Sequence, residues 1–315
     1  MSRFLRRHPS IQSKLGVQLD RSRHIAKDRT VIRDYFQKFQ RIIQKYNIRP
    51  SDVYNFDEKG VLIGKSARRK VVVRRGQKVP YFAGDGSREW VTVVETVRAA
   101  PSIADGCIVP PVFISKGQQY SEKNFRYVFW KSEKGYITAE LALRYITKHF
   151  DLHTRAHADN GKRHRLLILD GHISHTTIEF IEFCMENNIH VLCLPSHSTH
   201  LLQPLDVAMF SPLQFAYGSE VDQWCRNPRN ESMSLASFFL LYHKARLRAL
   251  TTKNARSSFE CTGHFPFKPQ RVLDKIDMKD NADWEQDPAG FAPGERKPFD
   301  HTKPIDPAVP PQTPH

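Results

Sequence analysis

Leu166-Leu167-Ile168-Leu169-Asp170-Gly171-His172-Ile173-Ser174-His175 is an unbroken apolar run that stops at an acid and a glycine. Four apolar residues without alternation read as a strand covered on both faces, because a half-exposed strand would place a polar residue at every second position. A second such run, His190 to Leu194 (HVLCL), follows at short range. Between them Thr176 to Asn187 has helical spacing, opened by Thr176 and Glu179 as a capping-box pair. Two buried strands joined by a helix predict parallel neighbours in one sheet. Thr138 to Phe150 predicts a helix ahead of the first run.

Further upstream the pattern is β-rich. Val53 to Phe56 and Val61 to Gly64 read as strand, with Gly60 permitting a kink or bulge between them. Lys70 to Arg74 (KVVVR) and Trp90 to Val97 (WVTVVETV) are rich in β-branched residues. Val109 to Ile114 (VPPVFI) predicts a strand near an edge because of its prolines. From Thr30 to Asn47, Ile32, Tyr35, Phe36, Phe39, Ile42, Ile43 and Tyr46 form one apolar helical face, and Arg49-Pro50 is expected to end that helix. Ser211 and Pro212 start a last core helix, with Asp206 just ahead of it. The expected class is therefore α/β, a mixed sheet flanked by helices with antiparallel strands preceding parallel ones. Residues 1–50 form a basic helical segment and 51–275 the main domain. In the expected flexible tail at 276–315, eight prolines fall between Pro288 and Pro314.

Charge narrows the partner. The first fifty residues hold 13 basic and 3 acidic side chains, so +10 of the net +15 sits there. Lys65, Arg68, Arg69, Lys70, Arg74 and Arg75 follow without an intervening acid, a stripe that suits a polyphosphate backbone through counterion release. A nucleic acid is the natural partner, although a solvated basic face gives the same composition. No membrane association is expected, since no stretch is apolar enough to span a bilayer and Arg3, Arg6 and Arg7 have no apolar segment behind them. Five cysteines without a CxxC pair suggest reduced thiols inside the cell.

Three aspartates are candidates for chemistry: Asp57 on the first strand, Asp170 at the end of LLIL and Asp206 after HVLCL. Ligands in α/β sheets gather at the carboxyl ends of parallel strands, where Asp170 stands. Clustered carboxylates suit Mg²⁺ or Mn²⁺, which take oxygen ligands. Two such ions roughly 3.5–4 Å apart can ready an attacking oxygen and stabilise a leaving one at phosphorus. Spacing alone does not single out these three acids from the chain's 33.

The strings around them do more. Tyr54-Asn55-Phe56-Asp57-Glu58, Leu169 to His175, and His200-Leu201-Leu202-Gln203-Pro204-Leu205-Asp206-Val207 resemble the three acidic motifs of pogo/Tigger-like DDE transposases. The 35 residues between Asp170 and Asp206 match that family's interval. Ser87 to Thr92, Pro110 to Phe113, and Cys261 to Phe267 are similar to its middle strands and closing segment, so the resemblance covers about Tyr54 to Val272. Met1 to Leu15 resembles the last helix of a centromere-protein-B type helix-turn-helix. The resemblance implies a ribonuclease-H-like fold and a DNA partner in the nucleus. It also implies two metal ions held by Asp57, Asp170 and Asp206 for cleavage and strand transfer, and it admits a homo-oligomer. A domesticated DNA-binding or chromatin protein without catalysis is the alternative. One departure stands out: Lys59 occupies a place where relatives commonly carry a small hydroxyl residue.

Neighbouring residues have humbler readings. His172 and His175 are ascribed to packing or support around Asp170, since zinc would need further His or Cys at matched spacing. Glu58 should face away from Asp57 on a strand and serve an ion pair. His200 and Gln203 are candidates to orient Asp206, contact DNA or close a loop. Lys162, Arg163 and Arg165 suit either phosphate contact or a solubilised loop.

Overall fold

The computed structural model describes residues 28–64, 89–102, 109–117, 127–171, 177–227 and 233–276. All belong to one unit, Gln18–Ile276; a second unit, Met1–Val17 with Asp277–His315, lies outside the described residues. So do the expected strand at 70–74, the basic residues Lys65, Arg68, Arg69, Lys70, Arg74 and Arg75, and His172 and His175.

Helix α1 (Arg29–Tyr46) starts where the Asp28 side chain accepts from the Thr30 N–H at 2.8 Å. It ends one turn before Arg49-Pro50, because Asn47 takes the left-handed conformation (φ 48°) that asparagine tolerates. Its stripe of Ile32, Tyr35, Phe36 and Phe39 is buried.

Among the described residues six strands form one sheet in the order β4-β3-β2-β1-β5-β6: β1 (Val53–Leu62), β2 (Trp90–Arg98), β3 (Val112–Lys116), β4 (Val128–Ser132), β5 (Arg165–Leu169) and β6 (Ile189–Cys193). β1, β2 and β3 are antiparallel, whereas β5 is parallel to both β1 and β6. Strand β4, which the sequence reading missed, pairs parallel to β3 and takes the edge position expected for β3. The prolines at 110 and 111 precede β3 instead of interrupting it. β1 also runs straight through Gly60, which pairs with Thr92 without a bulge. A Cβ at Gly60 would stand 3.3 Å from the Trp90 ring, so the glycine makes room for an indole. β6 is an edge strand and is only half-buried, unlike the fully covered strand expected there.

Strand alternation divides the core into two layers. Val53, Val61, Val91, Val93, Leu166 and Ile168 face one side, packed by α1, α6 (Phe210–Cys225), α7 (Leu235–Ala249) and α8 (Thr252–Cys261). Tyr54, Phe56, Val94, Leu167 and Leu169 face the other, under α2 (Ala139–Tyr145), its π-helical continuation Ile146–Phe150, and α4 (Ile178–Glu186). The short α3 (Asp151–Thr154) extends that run. Thus α6 is not the last core helix: α7 buries Phe238, Phe239, Leu241, Tyr242 and Ala245. The cap of α4 falls on Thr177, whose hydroxyl accepts from the Phe180 N–H at 3.3 Å, one residue after the expected Thr176.

The closing segment clasps α1. His264 is fully buried among Tyr35, Phe36, Phe39 and Phe259. The Thr262 hydroxyl donates to the Ser258 carbonyl (3.0 Å), so its oxygen is free to accept from His264 Nδ1 at 2.9 Å. His264 Nε2 then accepts from the Tyr35 hydroxyl at 2.8 Å. Such a cage holds the imidazole neutral, and burial pushes its pKa down to about 3. A histidine that is neutral when folded and protonated when unfolded loses stability as pH falls below its unfolded value of about 6.5. The stability advantage of wild type over His264→Gln should therefore shrink by about 1.4 kcal/mol per pH unit from 6.5 towards 4, measured by urea denaturation. A pH-independent difference would contradict the neutral assignment.

Candidate active site

Parallel registration sets the first two acids side by side. β1 and β5 pair Val53 with Leu166, Tyr54 with Leu167 and Asn55 with Ile168. Two residues further along both chains stand Asp57 and Asp170, on the same face of adjacent strands at the carboxyl end of β5. Asp170 follows the last strand residue, Leu169, whose carbonyl accepts from the Leu194 N–H at 2.9 Å and keeps β6 alongside.

The third acid arrives by a different device. After α5 (Thr199–Leu202) the chain enters a π-helical turn, Leu205–Met209, that runs directly into α6 and carries Asp206 in its first turn. Asn55 anchors this turn. The amide is fully buried, and its Nδ2 donates to the Ile168 carbonyl (3.0 Å) and to Gln203 Oε1 (2.8 Å). Its Oδ1 accepts from the Leu205 N–H (3.0 Å). Gln203, also fully buried, donates from Nε2 to the Phe56 carbonyl at 3.1 Å. One asparagine two residues before Asp57 thus ties β1 to the end of β5 and to the turn bearing Asp206.

The electrostatics register this crowding. Burial pushes the Asp57 carboxyl up to about 8; Asp206 and, to a smaller extent, Asp170 push in the same direction, while hydrogen bonds from the Glu58 backbone and Gln203 act against them. Among the described residues no three His, Cys, Asp or Glu side chains stand close enough to enclose a metal ion. The acids are electrostatic neighbours whose donor type suits a hard cation: all oxygen, with excess negative charge. One cation is already present. Lys59, two residues after Asp57 and on its face of β1, holds its ammonium 3.6 Å from Asp206 Oδ1 and 5.2 Å from the centre of the Phe210 ring.

Glu95, which pairs with Asp57 across β1 and β2, went unnoticed in the sequence. It is fully buried but neutralised: Arg246 forks onto both carboxylate oxygens (2.9–3.1 Å) and Tyr242 donates at 3.0 Å. A lone acid inside WVTVVETV was the available signal. Two of the three residues read as phosphate contacts or loop solubilisers are engaged within the fold. Arg165 is fully buried on Asp151, Thr154 and the Asn187 carbonyl (2.7–2.9 Å), and Arg163 is spent bidentately on Asp52 (2.9 and 3.0 Å). Lys162 remains exposed. His200 lies in α5 with its side chain exposed.

The family described as DDE superfamily endonuclease matches residues 91–259. A Cochliobolus lunatus protein named MFS-type transporter clz9 is 36% identical over 256 residues, which cover 78% of this chain and 27% of that protein. The chain thus spans about a quarter of that relative's length, and no described helix is long and apolar enough to cross a membrane. Among solved structures, the pre-cleavage Mos1 transpososome is similar with a TM-score of 0.53 at 16% identity, covering 89% of this chain and 69% of that one. The Mos1 mariner paired-end complexes with Mn and with Mg give 0.55 and 0.54 at 15% identity, with the same coverage. At such identity the likeness establishes the ribonuclease-H-like fold.

Two outcomes test the geometry. Asn55→Ala would leave Ile168 O, Gln203 Oε1 and Leu205 N–H buried without this partner, so urea denaturation should show a loss of about 2–4 kcal/mol. The second concerns pH. Because folding raises the Asp57 pKa from 3.8 to about 8, its favourable contribution is complete below about 4 and disappears as pH climbs to 8. Asp57→Asn should therefore gain stability relative to wild type across that window; parallel stability curves would argue against carboxylate crowding.

Proposed function

We propose that this chain, which belongs to the DDE superfamily endonuclease family, is a transposase-derived DNA endonuclease of the pogo/Tigger-like kind whose working acids are Asp57, Asp170 and Asp206. The observation that supports this reading is that both other motif acids, Asp206 and Asp170, act electrostatically on the crowded carboxyl of Asp57, in a fold shared with mariner transposase. Carboxylates crowded without cations would repel a phosphodiester, so the arrangement makes chemical sense as a holder of Mg²⁺ or Mn²⁺. The Mos1 complexes with Mn and Mg support the same choice. When bound, divalent ions neutralise phosphate charge and polarise the reacting oxygens.

The chain's own groups have separable tasks in this proposal. Asp57 and Asp170 form the paired holder on adjacent strands, and Asp206 completes it from the π-helical turn. Asn55 and Gln203 fix the backbone from which these acids project. Arg246 withholds Glu95, keeping a fourth carboxylate out of the cluster. The net charge of +15, concentrated before residue 50, supports DNA as the partner and work in the nucleus. Lys59 beside Asp206 favours a second reading, a domesticated DNA-binding or chromatin protein that keeps the acids without using them for cleavage.

Incubating the purified chain with DNA and Mg²⁺ or Mn²⁺ separates the two. The nuclease reading expects ion-dependent strand cleavage that falls to background in Asp170→Ala while DNA binding persists. Binding without cleavage by wild type in either ion would leave the second reading standing and remove the first.

A further inference from the structure

We infer that Lys59 is a tethered cation occupying the Asp206 side of the acidic site, so that Asp57 and Asp170 take a first divalent ion readily while a second, at Asp206, must displace the Lys59 ammonium. The inference rests on the acidic-site reading above and specifies its ion stoichiometry.

Three observations carry it. Strand alternation directs Lys59 to the same face of β1 as Asp57, so its ammonium reaches the cluster and not the opposite core. Its Nζ lies 3.6 Å from Asp206 Oδ1, where a metal ion would also draw on that carboxylate. The ammonium further rests 5.2 Å from the Phe210 ring centre, a second attraction that favours this position over open solvent. Phe210 opens α6 immediately after the π-helical turn that carries Asp206, so carboxylate and ring present themselves together.

The pairing is uneven across the three acids. Asp57 is met by two carboxylates and by amide hydrogens, whereas Asp206 has a lysine at ion-pair distance. Both members of that pair are about one-third exposed (34% and 32%), so the contact is solvent-screened and contributes little to folding. Its effect should appear in ion binding: a divalent ion approaching Asp206 meets a positive charge within a few ångströms, and that repulsion falls on the second ion far more than on the first. Methionine at position 59 would keep an apolar stem against Phe210 while deleting the charge, and arginine would keep the charge.

The test is a Mn²⁺ titration of the full chain by calorimetry, with free Mn²⁺ followed by electron paramagnetic resonance, for wild type, Lys59→Met, Lys59→Arg and Asp170→Asn. Wild type should bind one ion well and a second at least about tenfold more weakly than Lys59→Met does. Lys59→Arg should behave as wild type, and the melting temperatures of wild type and Lys59→Met without metal should coincide. Equal second-ion affinity in wild type and Lys59→Met overturns the inference while leaving the acidic site intact. Absence of binding in every protein, or binding untouched by Asp170→Asn, would overturn the metal-site reading itself and this inference with it.

Discussion

A single buried asparagine holds the site together. Asn55 bonds to groups 113, 148 and 150 residues away in the chain: the Ile168 carbonyl, the Gln203 amide and the Leu205 N–H. A buried amide is costly unless its donors and acceptor are matched, and here the match is made only when β1, the end of β5 and the 203–205 segment converge. The placement of the backbone segments that carry the three acids is therefore coupled to satisfaction of one side chain. The crowding at Asp57 works against folding, and a network of this kind is where the opposing free energy resides.

The treatment of charge elsewhere makes that crowding conspicuous. Asp52, Glu95 and Asp151 are all buried, and each faces an arginine: Arg163, Arg246, and Arg155 with Arg165. Burial with an arginine is the structural solution for a carboxylate in this protein. Asp57 departs from it, being pushed up to about 8 by burial and by like charge. Among the described residues, then, Asp57 is a carboxyl shifted by desolvation and like charge where Asp52, Glu95 and Asp151 are each matched to an arginine, and perturbed groups of that kind cluster at functional sites.

Much of this was legible in the sequence, for reasons that differ by element. LLIL and the helical stripe of α1 are periodic signals that burial dictates, and both elements lie where that periodicity puts them. β4 was missed because Val128 to Ser132 is short and mixed, and it becomes a strand only by pairing with β3. The Thr177 cap, the unbroken β1 and the edge character of β6 turn on one-residue register or on neighbours distant in sequence. For the site, the motif strings pointed to the acids, but Asn55, Glu95 and the position of the Lys59 ammonium depend on partners more than a hundred residues away. Arg165, read as a possible phosphate contact, is claimed by Asp151 in a way that only the tertiary fold reveals.

The three acids are not held alike, and this bears on how such a site can work. Asp57 projects from the middle of β1 and Asp170 directly follows the end of the neighbouring β5, so their spacing is tied to backbone pairing in the sheet. Asp206 rides on a π-helical turn, a helical irregularity frequent at functional sites, and its position depends on side-chain bonds to Asn55. The strand pair is fixed by backbone pairing, whereas the third acid is fixed by a buried side-chain network and by the packing of Leu205 and Met209 of its own turn. Lys59 lies between the two arrangements, rooted in β1 and reaching the π-helical turn. A cation tethered in that way couples the two arrangements, so the charge at Asp206 is set jointly by a strand residue and by the turn that carries the carboxylate.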